Sequence, residues 1–264
     1  MALQRMPRSC CAVCGSSPVL RSHLLPRALY SRLRGDEVVI GPVRVERGRA
    51  NTSSKQVAIP LLCGPSEQRL GLIVDRPACE FAEGGSRSRQ ALQEIRSAPT
   101  AARLQGALVK DAGDLKSISS LVRFGLSVLL RWDLGGEAWM CSRAYPSLGP
   151  FRGPIQSALF HDSAFPERVS VDLAFLAPST MPSTNMLVLP EVKRRQGPFV
   201  SDWWIPGIYF RVSVGRSKGA DSLSHCRVLL VDDPLKFAPY REAARSVVSA
   251  SRHGKLAKWV DSQN

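Results

Sequence analysis

The chain has 264 residues, 44% of them hydrophobic and 22% charged, the balance of a folded globule with one large core or two small ones. Thirty-six Lys and Arg against twenty-two Asp and Glu leave a net charge of +14, which favours a polyanionic partner, most simply nucleic acid. No apolar run approaches the ~18 residues of a membrane span, and no long apolar stretch follows the basic N-terminus; a spanning helix and a secretory signal are excluded, and the reducing cytoplasm is expected.

The first sixty residues carry ten basic side chains against three acidic ones, so half of the net charge sits in under a quarter of the chain. Pro26 fits the start of a short helix through Arg27, Ala28, Leu29 and Tyr30. Arg27, Arg32 and Arg34 there form a candidate phosphate-contacting surface. Gly84-Gly85-Ser86 reads as a linker, dividing the chain into 1–83 and 84–264.

Beyond it, Ile118, Leu121, Val122, Gly125, Leu129 and Trp132 follow the spacing of an amphipathic helix, and Gly135-Gly136 ends it. Pro154, Ile155, Ala158 and Leu159 begin a second, shorter helix. Val169, Val171, Leu173 and Phe175 alternate with smaller or polar residues, as a half-buried strand requires. Further strands are predicted at 186–189, from Ile208 to Val214 by alternation, and at 228–231, the last buried on both faces. Trp203-Trp204 reads as packing and Lys193-Arg194-Arg195 as a solvated turn. A basic helix from about Pro239, with Arg241, Arg245, Arg252, Lys255 and Lys258, closes the chain. The predicted class is α+β: an N-terminal metal module, then helices, then a C-terminal, mostly antiparallel sheet.

Seven cysteines are unevenly placed. Cys141 and Cys226 read as small buried hydrophobes, and His161-Asp162 and His225-Cys226 as structural pairs. Cys10, Cys11 and Cys14 cluster near the start and Cys63 and Cys79 follow; in a reducing compartment such spacing holds metal more often than disulfides. In Cys11-Ala-Val-Cys14-Gly15 two thiolates can face one ion while Gly15 relieves the turn, and thiolates select zinc among common divalent ions. The second half of such a site should be another Cys-x-x-Cys or Cys-x-x-His. In Leu61-Leu62-Cys63-Gly64-Pro65-Ser66-Glu67 position 66 is Ser, so one thiolate is missing. Cys10, Cys79 or His23 could supply the fourth ligand, or water could complete a three-ligand site.

Taken together, Cys11-x-x-Cys14-Gly15, Ser22-His23-x-x-Pro26 and Leu61-Leu62-Cys63-x-x-Ser66-Glu67 resemble a family of bacterial treble-clef proteins related to HNH endonucleases. That family carries Ser-His-Ile-Ile-Pro and Leu-Leu-Cys-x-x-Cys-Glu elements. The resemblance extends through Phe124-Gly-Leu-Ser-Val-Leu-Leu-Arg131 and the strand around Tyr209-Phe210. It implies a treble-clef-like module with structural Zn²⁺ on Cys11, Cys14 and Cys63, bound to DNA in preference to RNA. It also implies His23 as the general base that activates water, with Glu67 placing a catalytic Mg²⁺ or Mn²⁺. The Asn and second His of the HNH trio have no counterpart after His23. The other reading of Glu67 is a surface carboxylate paired with Arg69. The alternative to a metal-dependent endonuclease is a zinc-stabilised DNA- or RNA-binding adaptor without catalysis.

Overall fold

The computed structural model describes residues 9–32, 43–46, 49–52, 56–113, 115–139, 147–176, 186–194, 199–215 and 226–251. Arg34, Cys141, Arg195, His225, Arg252, Lys255 and Lys258 lie outside the described residues. An antiparallel hairpin pairs β1 (Val19–His23) with β4 (Ala58–Cys63). Between them come α1 (Arg27–Arg32), which starts directly after Pro26, and the short strands β2 (Val43–Glu46) and β3 (Arg49–Thr52). Cys63 leads straight into one helical run: α2 (Gly64–Leu70), a π-helical turn (Gly71–Asp75) and α3 (Arg76–Ala82). Arg76 N–H bonds five residues back, to the Gly71 carbonyl. The widened turn lies just before Pro77, which has no N–H to continue the ladder and whose ring must clear a carbonyl of the preceding turn.

The expected linker is the tight turn between α3 and α4 (Ser86–Ser97). After the hairpin β5 (Thr100–Leu104) and β6 (Ala107–Lys110) comes α5 (Lys116–Gly135), with Gly136 capping it, where the apolar spacing placed a helix. α6 (Arg152–Phe160) follows, then β7 (Val169–Leu176), β8 (Met186–Arg194), β9 (Phe199–Ile205), β10 (Ile208–Val214), β11 (Cys226–Val231) and α7 (Ala238–Ser251).

The class is α+β, and the sheet is mixed. Among the described residues nine strands form it in the order β3-β2-β8-β9-β10-β7-β11-β6-β5. β2 with β8 and β7 with β11 are parallel, and the other pairs are antiparallel. The sheet is not confined to the C-terminal part, as the sequence suggested. β2–β3 supply one edge and β5–β6 the other, segments too short for strand periodicity to stand out in the sequence. One continuous core runs from Cys11 through α5 to Val228, on both sides of residue 83.

α5 covers one face of the sheet. Its Gly125 lies so close that a Cβ would stand 3.3 Å from Val171 and 3.4 Å from Phe210. Phe210 stacks on Trp203, which is fully buried on this face. On the opposite face Trp204 and Tyr209 meet Phe237 and Tyr240 at the start of α7. Beside this cluster, Asp202, Arg211, Asp172 and Arg227 form a cross-strand row of alternating charge over four adjacent strands. Opposite charges on neighbouring strands support each other on a sheet face.

The most deeply buried cation, Arg131, lies on the face of α5 turned to the helical run. It makes a two-pronged bond to Asp75, with Nη2 2.6 Å and Nη1 2.9 Å from the carboxylate oxygens. Burial alone would weaken the guanidinium's hold on its proton; the Asp75 charge and hydrogen bonds, with the charge of Glu67, outweigh this and strengthen it. Removing one partner of such a pair leaves the other buried and uncompensated. Asp75→Asn is therefore expected to cost about 3 kcal/mol of unfolding free energy, the low end for a broken buried pair because Glu67 remains beside Arg131. Urea denaturation measures it, and a change within about 0.5 kcal/mol, the range of ordinary surface substitutions, would show the pair to be dispensable.

Candidate metal centre

The first half of the site is a tight loop. The Gly15 N–H donates to the Cys11 carbonyl at 3.0 Å, the Cys11 N–H to the Ser16 carbonyl at 2.8 Å, and the Val13 N–H to Cys11 Sγ at 3.5 Å. Gly15 adopts φ +74°, a left-handed conformation that side-chain-bearing residues pay strain to enter. The loop is fixed to the hairpin by a bulge in β4. Leu20 faces Leu62 and Arg21 faces Pro60, so Leu61 is the extra residue, and its carbonyl accepts the Ala12 N–H at 3.0 Å. Ser22 Oγ, fully buried, accepts the Leu62 N–H at 3.1 Å.

The second half comes from the junction of β4 and α2. Cys63 is the last residue of the strand and Ser66 lies in the first helical turn, which Pro65 helps to start. The helix is braced from its other side: Arg69 bonds Asp162 at 2.7 Å and the Leu159 carbonyl at 3.3 Å, while Arg123 of α5 also reaches Asp162. Gln156 of α6 donates to the Val13 carbonyl at 3.2 Å, closing the bracing onto the loop. Arg69, then Arg123, hold the exposed Asp162 carboxyl below its usual range.

The sulfurs of Cys11, Cys14 and Cys63 lie within 4.8 Å of one another, close enough to hold a single metal ion. Cys14 and Cys63 are 3.5 Å apart. Metal–sulfur bonds of ~2.3 Å in a tetrahedron put sulfurs about 3.8 Å apart, so the cluster has the right dimension. Cys11 and Cys63 are buried and Cys14 is at the surface. The Ser16 hydroxyl and N–H, then Cys63 and Cys11, pull the Cys14 thiol down to about 6. Burial would raise Cys11, but the N–H groups of Cys14, Cys63 and Val13 and the Ser66 hydroxyl reverse that and lower it. Ready deprotonation is what a thiol needs to serve as a ligand.

Among the described residues, Cys10, Cys79 and His23 stand outside this cluster. Cys10 is exposed. Cys79, buried in α3, has its thiol pushed up to about 12, first by desolvation and then by Asp75 and Glu83, so it is a neutral core residue. His23 ends β1 opposite Ala58, at the other end of the hairpin from the Val19–Cys63 pair. It is partly buried. Glu67 has one carboxylate oxygen, Oε1, buried without a hydrogen-bond partner, and its charge acts on Arg131. Arg69 pairs with Asp162, not in the way the carboxylate reading of Glu67 suggested. Arg27 is exposed at the start of α1; of Arg32 only the backbone placement is described, and Arg34 lies outside the described residues.

Sequence reasoning missed two features here. Ser66 points at all three thiols, although from sequence its position three after Cys63 signals only a missing thiolate. Arg131 was hidden in an apolar helix face, with its partner Asp75 fifty-six residues away.

The cluster predicts which cysteines matter for metal content. The purified full chain should carry one equivalent of divalent metal, and Cys63→Ser should lose it or weaken its binding at least about tenfold. Cys79→Ser should retain it. Elemental analysis of the three proteins checks this, and equal metal loss in both variants would detach binding from the cluster.

Comparison of the chain with protein-family models, with curated proteins and with solved structures finds no match.

Proposed function

We propose that this chain is a zinc-stabilised nucleic-acid-binding protein of HNH-like kind, with Zn²⁺ on Cys11, Cys14 and Cys63 folding a treble-clef-like module. The observation that carries the reading is the convergence of the three thiols where a loop, an antiparallel hairpin and the first turn of a helix meet. Zinc is the ion because thiolate donors select it from the common divalent metals, and a closed thiolate site is structural in character. Three thiolates donate so much charge that such an ion is a poor Lewis acid, so it folds the module and leaves chemistry to other groups.

The partner follows from charge. Seven of the fourteen net positive charges lie in the first sixty residues, and Arg21 on β1 and Arg27 at the start of α1 are both exposed. Neighbouring guanidiniums bind phosphate oxygens regardless of base sequence, and DNA is the favoured polyanion.

Metal-dependent phosphodiester cleavage is a second reading, favoured by one observation: His23 is outside the thiol cluster, so its imidazole is not consumed as a ligand. In that reading His23 accepts the proton of the attacking water, and Glu67, whose Oε1 lacks a partner, holds the ion. Mg²⁺ or Mn²⁺, when bound, supplies positive charge opposite the developing phosphorane. The charge of Glu67 also acts on the buried Arg131 cation, so an ion held there would share the carboxylate with that guanidinium.

Both readings predict salt-sensitive DNA binding. A surface engaging about six phosphates loses about 10³-fold in affinity between 50 and 200 mM salt, measurable by fluorescence anisotropy. Absence of binding at low salt would reject both. Plasmid nicking with Mg²⁺ or Mn²⁺ that disappears in His23→Ala, with DNA affinity retained, would establish the endonuclease; binding without nicking establishes the adaptor.

A further inference from the structure

Ser66 does more than interrupt a motif. The residue is buried, and its hydroxyl stands 3.3 Å from Cys63 Sγ, 3.6 Å from Cys11 Sγ and 3.9 Å from Cys14 Sγ. With bonds of ~2.3 Å to sulfur and ~2.0–2.1 Å to oxygen, a tetrahedral ion separates a sulfur from an oxygen ligand by about 3.6 Å. The three observed distances straddle that value. Together with the 3.5 Å Cys14–Cys63 separation, they give four edges of one small tetrahedron.

We propose that Ser66 Oγ is the fourth donor of the metal centre, which is therefore a three-thiolate, one-hydroxyl site. This rests on the reading of Cys11, Cys14 and Cys63 as ligands of one ion. The placement is built by the fold. Ser66 sits where the second cysteine of a helix-borne pair would sit, and the braces at Arg69 and Gln156 hold its helical turn against the Cys11–Cys14 loop. The serine side chain has the same reach as cysteine apart from the shorter bond to oxygen, so no backbone shift is needed. A hydroxyl lone pair binds the ion without the second negative charge that a fourth thiolate would add. It is also a harder and weaker donor toward zinc than a thiolate. The consequence is a centre that releases its metal more readily than a four-cysteine knuckle does.

The test uses the full chain loaded with Co²⁺, whose absorption bands report the donor set, alongside zinc transfer to a chromogenic chelator. Ser66→Ala should bind Co²⁺ about tenfold or more weakly than the native chain and shift its visible d–d bands. Ser66→Cys should intensify the sulfur-to-cobalt charge-transfer band and slow zinc transfer at least about tenfold, the order by which supporting groups tune such sites. Native affinity and native bands in Ser66→Ala would overturn the proposal and assign the fourth position to water. Should Ser66→Ala fail to fold, unchanged spectra and transfer rate in Ser66→Cys would overturn it equally. A native chain that binds neither Co²⁺ nor Zn²⁺ would instead remove the metal reading on which it rests.

Discussion

A buried ion pair joins the helical run that starts at the thiol cluster to the helix that covers the sheet. The helical run from Gly64 to Ala82 begins beside Cys63 and Ser66 and carries Asp75 in its widened turn. Arg131, with its side chain only 2% exposed, projects from the helix that covers the sheet and grips Asp75 with both prongs. A guanidinium so desolvated is tolerable only with a fixed, two-point carboxylate partner, so the relative position of the two helices is narrowly defined. Because α5 is in turn seated on the sheet through Gly125, the start of the run is positioned from the core outward. The site inherits its geometry from the centre of the molecule.

The same dependence runs in the other direction. Three thiols packed within 4.8 Å of one another repel once they lose their protons, and the Cys14 and Cys11 thiols, both lowered, lose them more readily than a free thiol does. Backbone N–H groups relieve part of that repulsion; a divalent cation relieves it fully and ties residues fifty positions apart. The loop packs Cys11, Ala12 and Val13 against the core, while Cys14 itself is exposed and its turn is held by hydrogen bonds to Leu61, Ser16 and Gln156. An ion at this point therefore adds a constraint that hydrophobic packing does not supply.

What the sequence disclosed depends on the range of the forces involved. α6, β7 and β10 are legible because burial on one face imprints a period of three to four or of two on consecutive residues; α5 is legible from the spacing of its first half and its apolar content, since every residue from Phe124 to Leu134 is buried. The three cysteines were legible because ligand spacing within a knuckle is local and chemically specific. β2, β3, β5 and β6 are not: they are four or five residues long, too short for the Val-Arg-Val-Glu alternation of β2 or the apolar Ala-Leu-Val of β6 to stand out, and β5 is exposed throughout. They become strands because a sheet edge offers unpaired N–H and C=O groups to any neighbouring extended segment. The helical run 64–82 was obscured by Pro65, Pro77 and Gly71, residues that argue against a helix unless the chain can start one and widen another. Arg131 and Asp75 escaped notice because pairing across fifty-six residues leaves no trace in either local pattern.

The distribution of charge completes the argument for a polyanionic partner. Asp75, Asp133, Asp162, Asp172, Asp202, Asp232 and Asp233 all face cations of this chain, several at sheet or helix junctions where they fix geometry. Carboxylates engaged in this way contribute little field at a distance, since each is neutralised within one hydrogen bond. The surplus of fourteen positive charges is then the part of the electrostatics that an approaching molecule meets. Half of it lies in the first sixty residues, the segment that also holds the Cys11–Cys14 loop, β1 and α1. On the proposed function, holding Arg21 and Arg27 on elements anchored by the thiol cluster and the buried ion pair would limit the conformational entropy lost on meeting a phosphate chain, so that more of each phosphate contact would be realised as affinity.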